Sequence, residues 1–196
     1  MSRTSFLVTV LLAALAMGRT AQAQQHSADV AVTYTAERAK VVGSGCGCFW
    51  LQGGSVDGAL TFYHGWGVAG NLTGDHASNI GPGVDLSKVS YMAGPRYTSN
   101  LHRWTSRHHA PRVFGEALFG GAHAFDSVFP AGAGTKASAN AFSMQAGGGV
   151  DVGFAKGFSV RALELDYVRT NLPDNGSDYQ NHLRLAFGVS YHFQRH

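Results

Sequence analysis

Every second residue from Leu183 to Phe193 is apolar or aromatic: Leu183, Leu185, Phe187, Val189, Tyr191 and Phe193. The residues between them, His182, Arg184, Ala186, Gly188, Ser190 and His192, are polar or small. Successive side chains point to opposite faces of a strand, so the pattern predicts a strand greasy on one side only. It is also longer than the usual strand of about 5–6 residues.

The same alternation recurs along the chain and predicts eight strands. They cover about Asp29–Val42, Phe49–Tyr63, Trp66–Asp75, Lys88–Ser99, Pro111–His123, Ser138–Phe154, Phe158–Leu172 and the terminal stretch just described. In the second, Val56, Gly58, Leu60 and Phe62 alternate with Asp57, Ala59 and Thr61. In the sixth, Phe142, Met144, Ala146, Val150 and Val152 oppose Ser143, Gln145, Gly147, Gly149 and Asp151. In the seventh, Leu163, Leu165 and Tyr167 oppose Glu164 and Asp166, and counting by twos puts Arg161 and Arg169 on the apolar face. The connections after the second and sixth strands are short ("HG", "AKG"). Those expected at Gly43–Cys48, His76–Ser87, Ala124–Ala137 and Pro173–Gln180 are longer and rich in Gly, Asn, Asp and Pro. The fourth connection, "NLHRWTSRHHA", breaks the rule of short turns on its side.

Alternation alone does not say which face is inside, since a soluble sheet alternates too, with apolar in and polar out. Three features favour apolar out. Several strands exceed the roughly 9–11 residues that cross a bilayer at a tilt. Phe62, Tyr63, Trp66, Tyr97, Phe158, Tyr191 and Phe193 gather near the short-turn end, as an interfacial aromatic girdle would. The polar faces carry small residues with a few charges, which suits a narrow lumen that fills itself. Arg161 and Arg169 would then lie near the two interfaces, where Arg snorkels. The pattern therefore predicts an all-β fold, an eight-stranded antiparallel up-and-down transmembrane β-barrel. A soluble lipocalin-like periplasmic barrel with reversed faces is the alternative.

The N-terminus fits this. Arg3, an apolar run from Phe6 to Met17 and "AQA" at Ala21–Ala23 make a secretory signal peptide over residues 1–23, with the barrel in 24–196. Glycine is abundant, 26 residues of 196. The formal net charge is +3, but without Arg3 and Arg19 the remainder has 13 basic residues against 12 acidic ones and no Lys/Arg run, which speaks against nucleic acid.

A signal peptide, eight long alternating strands and a terminal "YHF" resemble the outer-membrane β-barrel domain of the OmpA-like kind, over about residues 28–193. "GPRY" at Gly94–Tyr97 and "ALFGGAH" at Ala117–His123 are similar to stretches in that group. The resemblance implies that Tyr191 and Phe193 form the signal read by the barrel-assembly machinery. It also implies contact with outer-membrane lipid and lipopolysaccharide, with both termini periplasmic. Gln194, Arg195 and His196 depart from the family by following the Phe.

Candidate chemistry is sparse. On the presumed inner face lie Asp57, Arg96, Glu116, Asp151, Glu164, Asp166 and Arg184, which must pair because an unpaired buried charge is costly. They form either a salt-bridge plug or the lining of a small pore. "GDHASN" at Gly74–Asn79 resembles the His-x-Ser string of outer-membrane lipid A deacylases, with Ser78 as nucleophile, His76 as base and Asp85 the nearest acid downstream, in an expected loop. That family carries the string near its C-terminus, whereas here it is mid-chain, and a polar loop explains it equally. "RHH" at Arg107–His109 is a basic segment in the fourth connection, a solvated turn or a contact with head groups. Cys46 and Cys48 make a disulfide-locked turn possible, although a bridge across one residue is strained. No metal or cofactor is expected. The expected role is structural or at the surface, without catalysis, through loops whose ligand the sequence does not name.

Overall fold

The computed structural model describes residues 27–40, 48–81, 84–101, 111–131, 134–173 and 179–194. Within them the chain forms eight strands: β1 (Ser27–Lys40), β2 (Cys48–Tyr63), β3 (Trp66–Gly81), β4 (Val84–Asn100), β5 (Arg112–Ala131), β6 (Gly134–Ala155), β7 (Phe158–Thr170) and β8 (Gln180–Gln194). Each pairs antiparallel with its sequence neighbours, and β8 returns to β1 to close the ring, with Asp29 opposite His192 and Val30 opposite Tyr191. Closure satisfies the backbone groups that a sheet edge would leave open, the condition for crossing lipid.

The apolar faces point out. Val32, Tyr34, Leu60, Phe62, Leu72, Leu163, Leu165, Phe187 and Val189 are exposed, while Thr35, Asp57, Thr73, Glu164, Asp166 and Arg184 are buried inside. In water this would be an inverted protein; in a bilayer it is the stable order. The soluble alternative, with its apolar faces inward, is excluded by this arrangement.

The short turns are built for reversal. His64 and Gly65 both have positive φ (44° and 88°), as a two-residue type I′ hairpin requires. A Cβ on Gly65 would come within 2.4 Å of the Thr98 carbonyl oxygen. Around these turns the rings pack tilted or edge-to-face: Trp66 against Tyr97 at 5.1 Å, Phe158 against Tyr191 at 4.7 Å and Tyr191 against Phe193 at 4.6 Å.

Two expected long loops are largely strand. Residues 76–81 and 84–87 continue β3 and β4, and residues 124–131 and 134–137 continue β5 and β6, so "GDHASN" lies within β3. These stretches mix small residues with turn formers such as Asn79, Asp85, Asp126 and Pro130, which read as loop from sequence. Strands of 16 to 22 residues then exceed what the hydrocarbon needs and carry the sheet beyond it at this end. The signal-peptide expectation, "RHH" and most of Gly43–Cys48 and Pro173–Gln180 fall outside the described residues.

The position of Arg161 is a correction. Arg161 is inside the barrel, 1% exposed, not at the outer interface. The register slips between Arg161 and Glu164 against β8, and between Val150 and Asp151 against β6. Ala162 is the extra residue of a bulge, so Arg161 and Glu164 both face inward although three positions apart. Arg169, beyond the bulge, sits between buried Val168 and Thr170 and faces out, with its guanidinium 4.6 Å from the Tyr179 ring.

Candidate functional site

The barrel interior is a ladder of charged layers. At the short-turn end Asp29 of β1 meets His192 of β8 at 2.5 Å and Arg112, from β5 across the lumen, at 3.2 Å. The other ring nitrogen of His192 is 2.9 Å from Ser159 Oγ. One layer further, Arg161 donates from Nε to Asp151 at 3.0 Å and from Nη1 to Glu164 at 2.7 Å, with Asp57 at 3.6 Å. Arg96 lies 3.1 Å from Glu116. The Phe114 ring sits between these two arginines, 3.8 Å from the Arg96 guanidinium carbon and 4.5 Å from that of Arg161. Cations over ring faces gain most where water is excluded.

Gly149 makes that ring possible: a Cβ there would stand 2.7 Å from Phe114 Cζ. Gly147 does the same for Asp166, whose Oδ1 would be 2.2 Å from an added Cβ. Gly147 and Gly149 are thus a space requirement of the lumen, while a Cβ on Gly148 between them would meet the Phe114 carbonyl oxygen at 2.2 Å.

The next layer centres on Arg184. It donates to Asp166 Oδ2 at 2.9 Å, to Glu164 at 3.0 Å and to Thr73 at 2.9 Å. Thr73 passes its hydrogen to Asn71 at 2.6 Å, and Asn71 donates to Asp57 at 2.7 Å. At the long-loop end Lys88 meets Glu37 at 2.5 Å, His182 meets Glu37 at 2.6 Å, and Thr35 donates to Asp75 at 2.7 Å.

All seven inner-face residues named from the sequence, Asp57, Arg96, Glu116, Asp151, Glu164, Asp166 and Arg184, are buried in this ladder. Sequence reasoning missed Asp29, Glu37, Asp75, Lys88, Arg112, Arg161, His182 and His192. The signal was there for several: Asp29 and Glu37 share parity with Ala31, Thr33 and Thr35, and His182 and His192 share it with Arg184. Asp57, Glu116 and Glu164 bring one carboxylate oxygen each within 4.8 Å of one another, the spacing of a cation site. Guanidinium groups already stand beside all three, Arg161 at Asp57 and Glu164 and Arg96 at Glu116.

A second cluster lies on the outer surface at the long-loop end. His76 of β3 is 3.1 Å through Nε2 from Ser78 Oγ and 3.0 Å through Nδ1 from Ser87 Oγ of β4. Ser87 donates to Asp126 Oδ2 of β5 at 2.9 Å. Asp126, at φ 61°, occupies the irregularity between Phe125 and Phe129. The acid in line with His76 is therefore Asp126, reached through Ser87. Cys48 opens β2 with an exposed side chain; Cys46 lies outside the described residues.

A closed ring with an apolar belt outside and an ionic ladder inside defines a transmembrane β-barrel protein of the outer-membrane type. The chain belongs to the outer membrane protein beta-barrel domain family, whose profile matches residues 7–193. No curated protein matches it. Among solved structures it is similar to Ail, the attachment invasion locus protein of Yersinia pestis, in complex with the heparin analogue sucrose octasulfate. That match has 18% identity and a TM-score of 0.54, covering 86% of this chain and 99% of that one. It is also similar to Neisserial surface protein A, at 15% identity and a TM-score of 0.56, covering 85% of this chain and 97% of that one. At these identities the likeness is one of fold.

Proposed function

We propose that this chain is a non-conducting, non-catalytic outer-membrane barrel. Its short-turn end and both termini face the periplasm, and its work is done at the outer surface through envelope integrity, adhesion or ligand contact. The observation that carries this reading is the unbroken ladder from Asp29–Arg112 through Arg161 and Arg184 to Lys88–Glu37. Ion pairs spanning the lumen at each of these levels support a plug rather than a pore, which leaves function to the outside. Ail is an attachment protein and Neisserial surface protein A a surface protein; a similar role here is consistent with the shared fold. Tyr191 and Phe193 at the end of β8 serve as the signal for the barrel-assembly machinery, and outer-membrane lipid and lipopolysaccharide surround the belt.

The test is single-channel recording of the purified barrel in planar bilayers. Flat current is expected; discrete, reproducible steps would replace this reading with the small-pore one.

The His76 cluster favours a second reading, a lipid A-modifying enzyme. Ser78 Oγ would attack an acyl ester, its proton passing to His76 Nε2 and on to the sugar oxygen as the ester C–O bond breaks; water then hydrolyses the acyl-serine to free fatty acid, with Ser87 and Asp126 orienting the ring throughout. Mass spectrometry of lipid A from cells with the wild-type chain or Ser78→Ala decides it. Identical spectra are expected; an acyl-chain mass difference that Ser78→Ala abolishes would establish the enzyme.

A further inference from the structure

Asp29, Ser159 and His192 come from three adjacent strands and meet inside the short-turn mouth. Asp29 and His192 stand directly opposite each other across the β1–β8 seam. Ser159 of β7 stands opposite Ser190, which is two residues inward of His192 on the same face of β8. A backbone bond from the His192 amide to the Gly157 carbonyl, 2.7 Å, ties the β6–β7 turn to β8 and fixes Ser159 beside the imidazole.

The imidazole is held at both nitrogens. Asp29 Oδ1 lies 2.5 Å from Nδ1, and an ionised carboxylate can only accept, so Nδ1 carries the proton. Nε2 is left with its lone pair, and Ser159 donates to it at 2.9 Å. Arg112 reaches both oxygens of Asp29, at 3.2 and 3.4 Å, and holds the carboxylate in place. Among the described histidines, only His192 has a carboxylate on one ring nitrogen and a serine hydroxyl on the other. His182 meets Glu37 without a hydroxyl, and His76 reaches Asp126 only through Ser87.

Two further observations point to a reacting group here. The Ser190 hydroxyl is buried and has no hydrogen-bond partner among the described residues. Its register position puts its Cβ about 5 Å from that of Ser159. An oxygen turning negative on a carbon attacked by Ser159 would meet a ready donor there. The cluster is also the layer that solvent reaches: Asp29 is 8%, Ser159 4% and His192 9% exposed, against 1% for Arg161 and Arg184 deeper in.

We propose that Ser159 is a covalent acceptor for small activated acyl esters entering the short-turn mouth. Ser159 Oγ bonds to the acyl carbon as its proton passes to His192 Nε2. The ester C–O bond then breaks, and the departing alcohol takes that proton, leaving an O-acyl-serine and a neutral imidazole. Asp29 keeps the ring in the one tautomer that can accept. The serine is consumed once per barrel, so the site goes beyond the surface role without making the barrel a turnover enzyme.

The experiment treats the folded full-length barrel in detergent micelles with a fluorophosphonate probe, which bonds to activated serines with loss of fluoride, and separately with para-nitrophenyl acetate. Peptide mass spectrometry locates the label. Ser159 is expected to carry it, with one equivalent of nitrophenol released per barrel, at a rate that rises as higher pH deprotonates the imidazole. Ser159→Ala should lose the label. His192→Gln, which still donates to Asp29, and Ser190→Ala should each label about a hundredfold more slowly. Ser55→Ala, a lumen serine with no imidazole, should label like the wild type. The two serine-to-alanine changes in the cluster remove one oxygen each and spare the Asp29 ion pair, and the heat-modifiable gel band verifies folding of every variant. Three results overturn the proposal: labelling no faster than in the urea-unfolded chain, a label on another serine, or equal rates in the wild type and folded His192→Gln. Nitrophenol release continuing past one equivalent overturns the acceptor and the non-catalytic reading together.

Discussion

Replacing Arg161 with alanine tests the interior most directly. The side chain is 1% exposed, touches Asp151, Glu164 and Asp57, and covers one face of Phe114. Its removal strands Asp151, leaves Asp57 only the hydrogen bonds from Asn71 and Ser55, and leaves Glu164 to Arg184. Breaking a buried ion pair by deleting one partner costs about 3–5 kcal/mol. The lost contact with Phe114 adds about 1–2 kcal/mol, so the expected loss is at least ~3 kcal/mol, more than a hundredfold in the folding equilibrium. The control is Arg169→Ala, at a position of the same sequence parity. Its side chain is half-buried over Tyr179 and should cost about 0.5–1 kcal/mol. Both are measured by urea titration of the barrel in vesicles, following tryptophan fluorescence and the unboiled gel band. Arg161→Ala combined with Asp151→Asn should recover part of the loss, because one stranded charge is gone. If the two arginine variants unfold at the same midpoint, or Arg161→Ala loses less than the ~1 kcal/mol of an exposed pair, the interior is wet and the argument for a sealed lumen fails.

Other outcomes follow from the same geometry. Gly149→Val should destabilise by about 1–3 kcal/mol through overpacking against Phe114 and the Leu163 carbonyl oxygen; a neutral result in urea titration would mean that ring and strand both have room to move. Phe114→Ala with Arg96→Ala should convert the silent barrel into one with measurable ion conductance, since it opens the layer between Arg161 and Glu116; continued silence would show that the neighbouring layers seal it unaided. In a background lacking Cys46 and Cys48, a membrane-impermeant maleimide on intact cells should label Lys136→Cys, at the long-loop end, and spare Lys156→Cys, in the short β6–β7 turn. The reverse pattern would invert the topology.

The strands were legible wherever large apolar residues alternate with polar ones, as in β2, β7 above Leu163, and β8. The sequence gives way at three kinds of place. Along residues 76–81, 84–87, 124–131 and 134–137 turn formers such as Asn79, Asp85, Asp126 and Pro130 read as loop, yet cross-strand pairing extends the sheet through them. At Ala162 one inserted residue reverses the parity of everything before it, and nothing in "VRAL" marks that; only pairing with β6 and β8 decides it. Partners were hidden by distance along the chain: Asp126 meets Ser87 across 39 positions, and Lys88 meets Glu37 across 51. The inner-face residues could be named from parity, but which carboxylate faces which cation depends on the stagger of strands around the ring.

The contact between Asp29 and His192 spans 163 positions, nearly the whole described chain. Loop-closure entropy has to be met before such a contact repays it, and topologies dominated by distant pairings fold slowly. Until the last strand docks, β1 and β7 each present an open row of amides and carbonyls. The seam is therefore a kinetic commitment point: a chain stopped short of β8 has no smaller ring to settle into, and the time spent before that docking is when it is most exposed to aggregation and proteolysis.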